Sequence, residues 1–389
     1  MRALRTLVLG LAVFAAASCQ RAPEADHPYE KGTLLMFGGD TFFGESYAAD
    51  KPDGAAGRLT EKQRYVDGFD GLLPIIKDSR YTVVNFEGPL SPQVTTEPLA
   101  KDFVHFSDPK KSVAAMERAG INAINLANNH TLDQGRTGLA NTFTALSGSS
   151  IKYFGAGNNL DEAERPLVMT VPLPGGGSRK IAVIGLFQIR SGYRDLYKFY
   201  ASPTESGTNP INITRFRAQV AKLRAEDPGI FIIAYPHWGM NYAWGNERQV
   251  PLGHRMIAAG ADMVIGQHGH TLQEIERYNG KWIFYCIGNF AFGTPGRYDA
   301  FPDILPFGGV VGLSFGPDPK SPPVVRMFPV TADNEKTGFK PAGVSAATAK
   351  TIMDRIADRP MSEGFAGHIV ETPAGAAIQL DPPKGWFGG

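Results

Sequence analysis

Five short apolar runs in this chain end in the same way, in glycines and residues that carry carboxylates, amides or imidazoles. Leu34-Leu35-Met36-Phe37 runs into Gly38-Gly39-Asp40, and Tyr81-Thr82-Val83-Val84-Asn85-Phe86 into Glu87-Gly88-Pro89. Residues 121–127 run into Asn128-Asn129-His130. Ile230-Phe231-Ile232-Ile233-Ala234-Tyr235 runs into Pro236-His237, and Met263-Val264-Ile265 into Gly266-Gln267-His268-Gly269-His270. Apolar runs of this length read as strands buried on both faces. Such strands need helices as cover, and segments 61–79, 110–119, 136–146, 214–225 and 250–259 have helical character. Segments 167–173 and 179–187 flank Pro174-Gly175-Gly176-Gly177 and read as a hairpin. The 45 Gly and 29 Pro in 389 residues fit many tight turns between short elements. The expectation is an α/β fold with central sheets covered by helices, continuing through two or three more β segments to about residue 330. Residues 331–389, with one helical stretch at 346–357, read as a C-terminal extension packed on the core or partly loose.

The polar strand ends carry the chemistry. In open α/β sheets, ligands sit at the carboxyl ends of the strands. Carboxylates, an amide oxygen and imidazoles together form a ligand set for divalent Zn, Mn or Fe. Each residue alone is weak evidence, since an Asp after a strand is usually a turn or cap residue. Their recurrence at five strand ends makes the set Asp40, Glu87, Asn129, His237, His268 and His270 a candidate metal centre. His268 and His270 are two apart, so in extended chain both side chains face one side. That suits a pair of ions about 3.5–4 Å apart.

These residues resemble a family. Gly39-Asp40, Asn85-Phe86-Glu87-Gly88, the Asn125–His130 stretch, His237-Trp238-Gly239, the Gly266–His270 stretch and Gly288-Asn289-Phe290 look like the successive motifs of the CapA-type proteins of poly-γ-glutamate capsule synthesis. These are a branch of the calcineurin-like metallophosphoesterase superfamily. The resemblance covers residues 33–330 and implies a four-layer α/β/β/α sandwich. It implies that Asp40 and His270 bind one metal, that Asn129, His237 and His268 bind a second, and that Glu87 bridges them. His130 matches the histidine that contacts substrate and protonates a leaving group, and Asn289 is placed with it among the catalytic residues. The superfamily's opening Asp-x-His is here Asp40-Thr41-Phe42, and the bridging residue is Glu rather than Asp. Both departures weaken the first metal site, so one or two divalent ions are expected. The resemblance implies a hydrolase-like protein in poly-γ-glutamate or envelope-polymer synthesis or processing, cutting a phosphoester or a γ-glutamyl amide. Two alternatives stay open: a non-catalytic envelope scaffold or export component, and a phosphatase of an envelope lipid of the lipid A type. The sequence contains no Gly-x-x-x-x-Gly-Lys-Ser/Thr loop, so ATP use is not expected, and a serine nucleophile is not expected either.

The rest of the chain bears on location and partners. Arg2 and Arg5 precede an apolar run at 7–17, too short for the ~20 residues of a membrane span and suited to a signal peptide at 1–18. Ala16-Ala17-Ser18-Cys19 resembles a lipoprotein box, which makes Cys19 the lipidation site and 19–32 a tether. The expected location is membrane-anchored, in the periplasm or on the cell surface. Cys286 is then left as a buried core thiol in a strand expected over Trp282–Ile287. Loop 187–212, with Arg190 and Arg194, and the aromatic stretch from Trp238 to Trp244 are candidate contacts for an anionic polymer or lipid. A synthase or export complex is a further candidate partner. With 39 Lys+Arg against 38 Asp+Glu, no basic field for nucleic acid is expected.

Overall fold

The computed structural model describes residues 33–93 and 101–382. The expected signal peptide, Cys19 and the tether lie outside the described residues, as does the C-terminal stretch 383–389.

Among the described residues, the strands form a nine-stranded sheet, a six-stranded sheet and a two-stranded ribbon. The larger sheet runs Gly367–Thr372, Gly375–Leu380, Val324–Thr331, Phe307–Ser314, Leu34–Phe42, Tyr81–Phe86, Ala123–Asn125, Lys152–Phe154, with Asn289–Phe292 pairing beside Leu34–Phe42. The smaller runs Ile275–Tyr278, Lys281–Phe284, Met263–Ile265, Phe231–His237, Ser178–Phe187, Leu167–Pro172.

Strand alternation builds the layers. Leu35 and Phe37 point into a core shared with Val183, Ile233, Ile265 and Phe284 of the smaller sheet. Their neighbours Leu34 and Met36 point the opposite way, into a core with Met116, Leu139 and Leu146. Helices Pro109–Arg118 and Gly135–Ser147 supply those residues. On the smaller sheet, Ile184, Ile232 and Val264 face outward onto Phe216 and Val220 of helix Ile213–Glu226 and onto Met256 of helix Gln249–Ala258. A period of two on each strand thus gives two sheets face to face with helices outside, the four-layer α/β/β/α sandwich expected from the sequence.

Three expectations need correction. The stretch 61–79 is not one helix: Gln63–Asp67, Gly68–Asp70 and Leu73–Ile76 are separate short turns, broken at Gly71 and Leu72 before Pro74. The Trp282–Ile287 stretch is strand only at Lys281–Phe284. The boundary at 330 is not a domain boundary. Strand Val324–Thr331 runs across it, Gly375–Leu380 pairs with that strand, and Gly367–Thr372 completes the edge. Helix Ala346–Ala357 buries Ala349, Ile352 and Ile356 in the core between the sheets, against Ile378 and Leu380. The cause is the apolar stretch Ala376-Ala377-Ile378, which Ala and Gly richness had obscured.

Candidate metal centre

Register places the polar row. In the parallel strands of the larger sheet, Asp40 stands opposite both Asn289 and Asn85, and Asn85 opposite Asn125. The pairing slips by a bulge on either side of Asp40, a device that re-aims a side chain at a strand end. The backbone is pressed close here: Asp40 N donates to Gly288 O at 2.9 Å, and a Cβ on Gly39 would sit 1.8 Å from that oxygen. Only glycine fits. In the smaller sheet, His237 ends its strand and bridges to Gln267, which leads into His268. The two sheets therefore bring their strand ends to one place.

Glu87 is the point where the two sets meet. The ligand atoms of Asp40, Glu87 and His270 lie within 4.8 Å of one another, and so do those of Glu87, His237 and His268. Glu87 Oε1 lies 3.4 Å from His237 Nε2, and Glu87 Oε2 lies 4.0 Å from His270 Nε2. Asn129 Oδ1 approaches His237 Nε2 to 2.6 Å. Asp40 Oδ2 lies 3.5 Å from His270 Nδ1 and accepts from the His268 backbone N–H at 3.1 Å. All six expected ligands are buried together. The two histidines converge differently from the expectation, though. His268 and His270 are not in extended chain: both have positive φ, 99° and 56°. Non-glycine residues held there mark a strained turn of the kind found at functional sites.

Burial explains the charge state. Removal from water pushes the Asp40 carboxyl up to about 7, against hydrogen bonds that favour its ionised form. Glu87 is pushed well above the usual carboxylate range, first by burial and then by the charge of Asp40. Burial also holds His237 and His268 well below the usual imidazole value and His270 down to about 4. The imidazoles are neutral and ready to coordinate, and the charge of Lys101 offsets the burial of Glu87 only in part. Within this ligand set, two buried atoms have no hydrogen-bond partner among the described residues: Glu87 Oε2 and His268 Nδ1. Among the described residues, a divalent cation fits this donor set of carboxylate, amide and imidazole atoms.

The expected catalytic pair divides. His130 Nδ1 contacts Asp133 Oδ2 at 2.6 Å. A carboxylate only accepts, so this assigns the proton to Nδ1 and leaves Nε2 free. Burial, followed by the charge of Lys101, holds His130 well below its ordinary value. It is therefore a neutral proton acceptor that must take up a proton before it can give one. Asn289 is a positioning residue: its Oδ1 accepts from His270 Nδ1 at 2.8 Å. Its Nδ2 reaches Tyr298, whose hydroxyl donates to His270 O at 2.6 Å.

The expected substrate contacts divide as well. Arg190 sits beside the centre, with its guanidinium on Gly239 O and 3.2 Å from His268 Nε2. Arg194 is exposed and paired with Asp195. Trp238 is fully buried in the outer core of the smaller sheet and donates to Tyr285 O at 2.8 Å, so it is a packing residue. Loop 187–212 is packed by its own aromatics, with Tyr193 edge-on to both Phe187 and Phe199.

Sequence reasoning gave no role to the asparagines behind the ligands. Asn85 donates to Asp40 at 2.8 Å, and its oxygen accepts from Asn125 at 3.0 Å and Asn128 at 3.2 Å. It also missed the cluster next to His130. Lys101 donates to Asp133 and to Asn129 O, and its ammonium lies 3.1 Å from His130 Nδ1. His105 lies stacked between Phe42 (4.0 Å) and His130 (3.7 Å). Asp133, three residues after His130 in the same turn, was the readable signal. His105 comes from a stretch with no apolar run to mark it.

Residues 34–294 match the family described as bacterial capsule synthesis protein PGA_cap. The chain belongs to this family. It is 31% identical over 243 residues to the PGA biosynthesis protein CapA of Bacillus subtilis, covering 61% of this chain and 60% of that one. Against the capsule biosynthesis protein CapA of Bacillus anthracis it is 31% identical over 232 residues, 58% of this chain and 53% of that one. A probable polyglutamine synthesis accessory protein of Mycobacterium tuberculosis is 36% identical over 172 residues, 42% of this chain and 43% of that one. The matched stretch thus spans 60% or less of each of these relatives. Among solved structures, the calcineurin-like phosphoesterase YfkN of Bacillus subtilis aligns at a TM-score of 0.41 and 17% identity, over 72% of this chain and 84% of that one.

Proposed function

We propose that this protein is a metal-dependent hydrolase that processes poly-γ-glutamate or a related anionic envelope polymer. The observation that carries the reading is the pair of buried ligand sets that share Glu87, with Glu87 Oε2 and His268 Nδ1 lacking a hydrogen-bond partner among the described residues. Asp40, Glu87 and His270 would hold one ion, and Glu87, Asn129, His237 and His268 the other; manganese, zinc and iron all suit these donors. A cation there supplies Lewis-acid polarisation of a carbonyl or phosphoryl oxygen and makes water more acidic. The chain's own part is positional and protic. Asn85 and Asn289 orient Asp40 and His270, and the burial of the set excludes bulk water. His130 accepts a proton at Nε2 while Asp133 takes the Nδ1 hydrogen and steadies the charge that results. Arg190 beside His268 lends positive charge to the substrate side.

The relatives' names supply the polymer: two are biosynthesis proteins of PGA or capsule, and a third is a probable polyglutamine synthesis accessory protein. Without an ATP loop, a role in synthesis means processing, transfer or release rather than bond formation. Export and anchoring through Cys19 belong to the same proposal. Among the described residues, no helix is long and apolar enough to cross a membrane. The test is to load the chain with Mn, Zn or Fe and offer γ-linked polyglutamate and p-nitrophenyl phosphate. Chelator-sensitive release of glutamate oligomers supports the reading, and phosphate release alone redirects it to a phosphatase. A second reading, a polymer-holding scaffold, draws on Phe42, which fills the place of an expected histidine ligand and stacks on His105. Metal binding with no turnover of either substrate would favour it.

A further inference from the structure

A cavity of about 250 Å³ adjoins the centre and includes His130 and His270 in its lining. Neither of the arginines expected to meet substrate lines it. Its cations are Lys51 and Arg297 instead. From the centre outward the wall is aromatic: His270 lies 4.8 Å from Phe292 and 5.5 Å from Tyr242, ring to ring. Tyr242 stacks on Phe301 at 5.5 Å and carries the Arg297 guanidinium over its face at 4.9 Å. Phe103, 52% exposed, approaches the same guanidinium at 5.7 Å. Among the described residues, Arg297 thus meets aromatic faces and forms no ion pair with a carboxylate. The guanidinium also hydrogen-bonds the Tyr242 side chain, and a guanidinium held this way without a carboxylate partner suits the carboxylate of a ligand.

The cavity falls below the roughly 300 Å³ at which pockets hold whole ligands. It suits one or two units of a longer chain whose scissile bond lies at the centre. Such a chain must offer anionic groups for Arg297 and Lys51, and methylenes for Tyr242, Phe103 and Phe292. We infer that this cavity is the substrate-chain subsite, in which Arg297, assisted by Lys51, binds a free carboxylate of a γ-linked glutamyl chain whose methylenes lie on the aromatic wall. The inference rests on the polyglutamate reading above and assigns its specificity to residues from the segments around 51, 103, 242 and 297.

The test is calorimetric titration of the metal-loaded full chain with a synthetic γ-linked glutamate oligomer, for wild type, Arg297→Gln, Arg297→Lys and Lys51→Gln. Both positions are exposed, so metal content and thermal midpoint stay at wild-type values. Arg297→Gln weakens oligomer binding by about tenfold or more, as loss of a charge-assisted pair does. Arg297→Lys, which keeps the charge and loses the fork, falls between, and Lys51→Gln has the smaller effect. Wild-type binding with Arg297→Gln unchanged would overturn the subsite and leave the polyglutamate reading standing. No oligomer binding by metal-loaded wild type would overturn both. A preference for vesicles bearing a phosphorylated lipid, abolished by Arg297→Gln, would overturn the carboxylate assignment.

Discussion

The two halves of the centre share Glu87 and differ in nearly everything else. The first half, Asp40 and His270 with Glu87, is rich in carboxylate and has three donors. Asp40 in it depends on an amide and a backbone N–H to hold it. The second half, His237, His268 and Asn129 with Glu87, is rich in imidazole and has four donors, two of them already 2.6 Å apart. Where a further ligand to the first half was expected, Phe42 is buried and stacked on His105. Donor number and donor type therefore point the same way. On the proposed metal reading, the second half would be the tighter site and the first the one more readily emptied.

Several changes would break or sharpen that contrast. His237→Ala removes a central donor of the second half and weakens its metal by more than the about 10–100-fold that loss of an outer partner costs; metal analysis after dialysis reads this, and circular dichroism reports the surviving fold. Asn85→Ala removes the 2.8 Å donor to Asp40 and a 3.2 Å contact to His237 Nδ1, so it costs about 10–100-fold at both halves and more at the first, as competition with a metal dye would record. Acid acts on the same half. Asp40, with its carboxyl raised to about 7, must give up a proton to bind metal below that pH, whereas His270, at about 4, has none to give up. First-half affinity thus falls by about tenfold between pH 8 and pH 6 through Asp40, on top of the fall both halves share through the raised Glu87 carboxyl, measurable by titration calorimetry. Phe42→His supplies a fourth donor to the first half and should tighten the second equivalent of metal several-fold; unchanged stoichiometry and affinity would show that the position does not face the ion. Arg194→Ala touches neither half: the residue is exposed and, among the described residues, its ion pair is with Asp195, so metal affinity and the denaturation midpoint stay at wild-type values.

Much of this was legible in the sequence because apolar strand ends are unambiguous. The helices at 110–119, 214–225 and 346–357 lie within a residue of their expected ends. All six ligand positions converge because each is tied to a strand whose register the apolar pattern fixes. What the sequence hid has specific causes. Gly and Ala in 366–380 masked two strands that complete the larger sheet. Asn85 was visible in its motif, but an asparagine in an apolar run does not announce that it will orient the carboxylate beside it. Trp238 was chosen for its chemistry, and only packing reveals that its indole N–H is spent on Tyr285 O. Arg297 was passed over because it sits in a loop with no motif around it; the aromatic rings that hold it come from distant segments.

The central claim is that Glu87 joins two metal sites. The most direct measurement is the metal content of the purified chain by mass spectrometry, beside that of Glu87→Gln at pH 8. The account predicts between one and two equivalents of a divalent transition metal in the wild type, and loss of both the tight and the weak equivalent in Glu87→Gln. A wild type that binds none, or a Glu87→Gln variant that keeps its full complement, would contradict it.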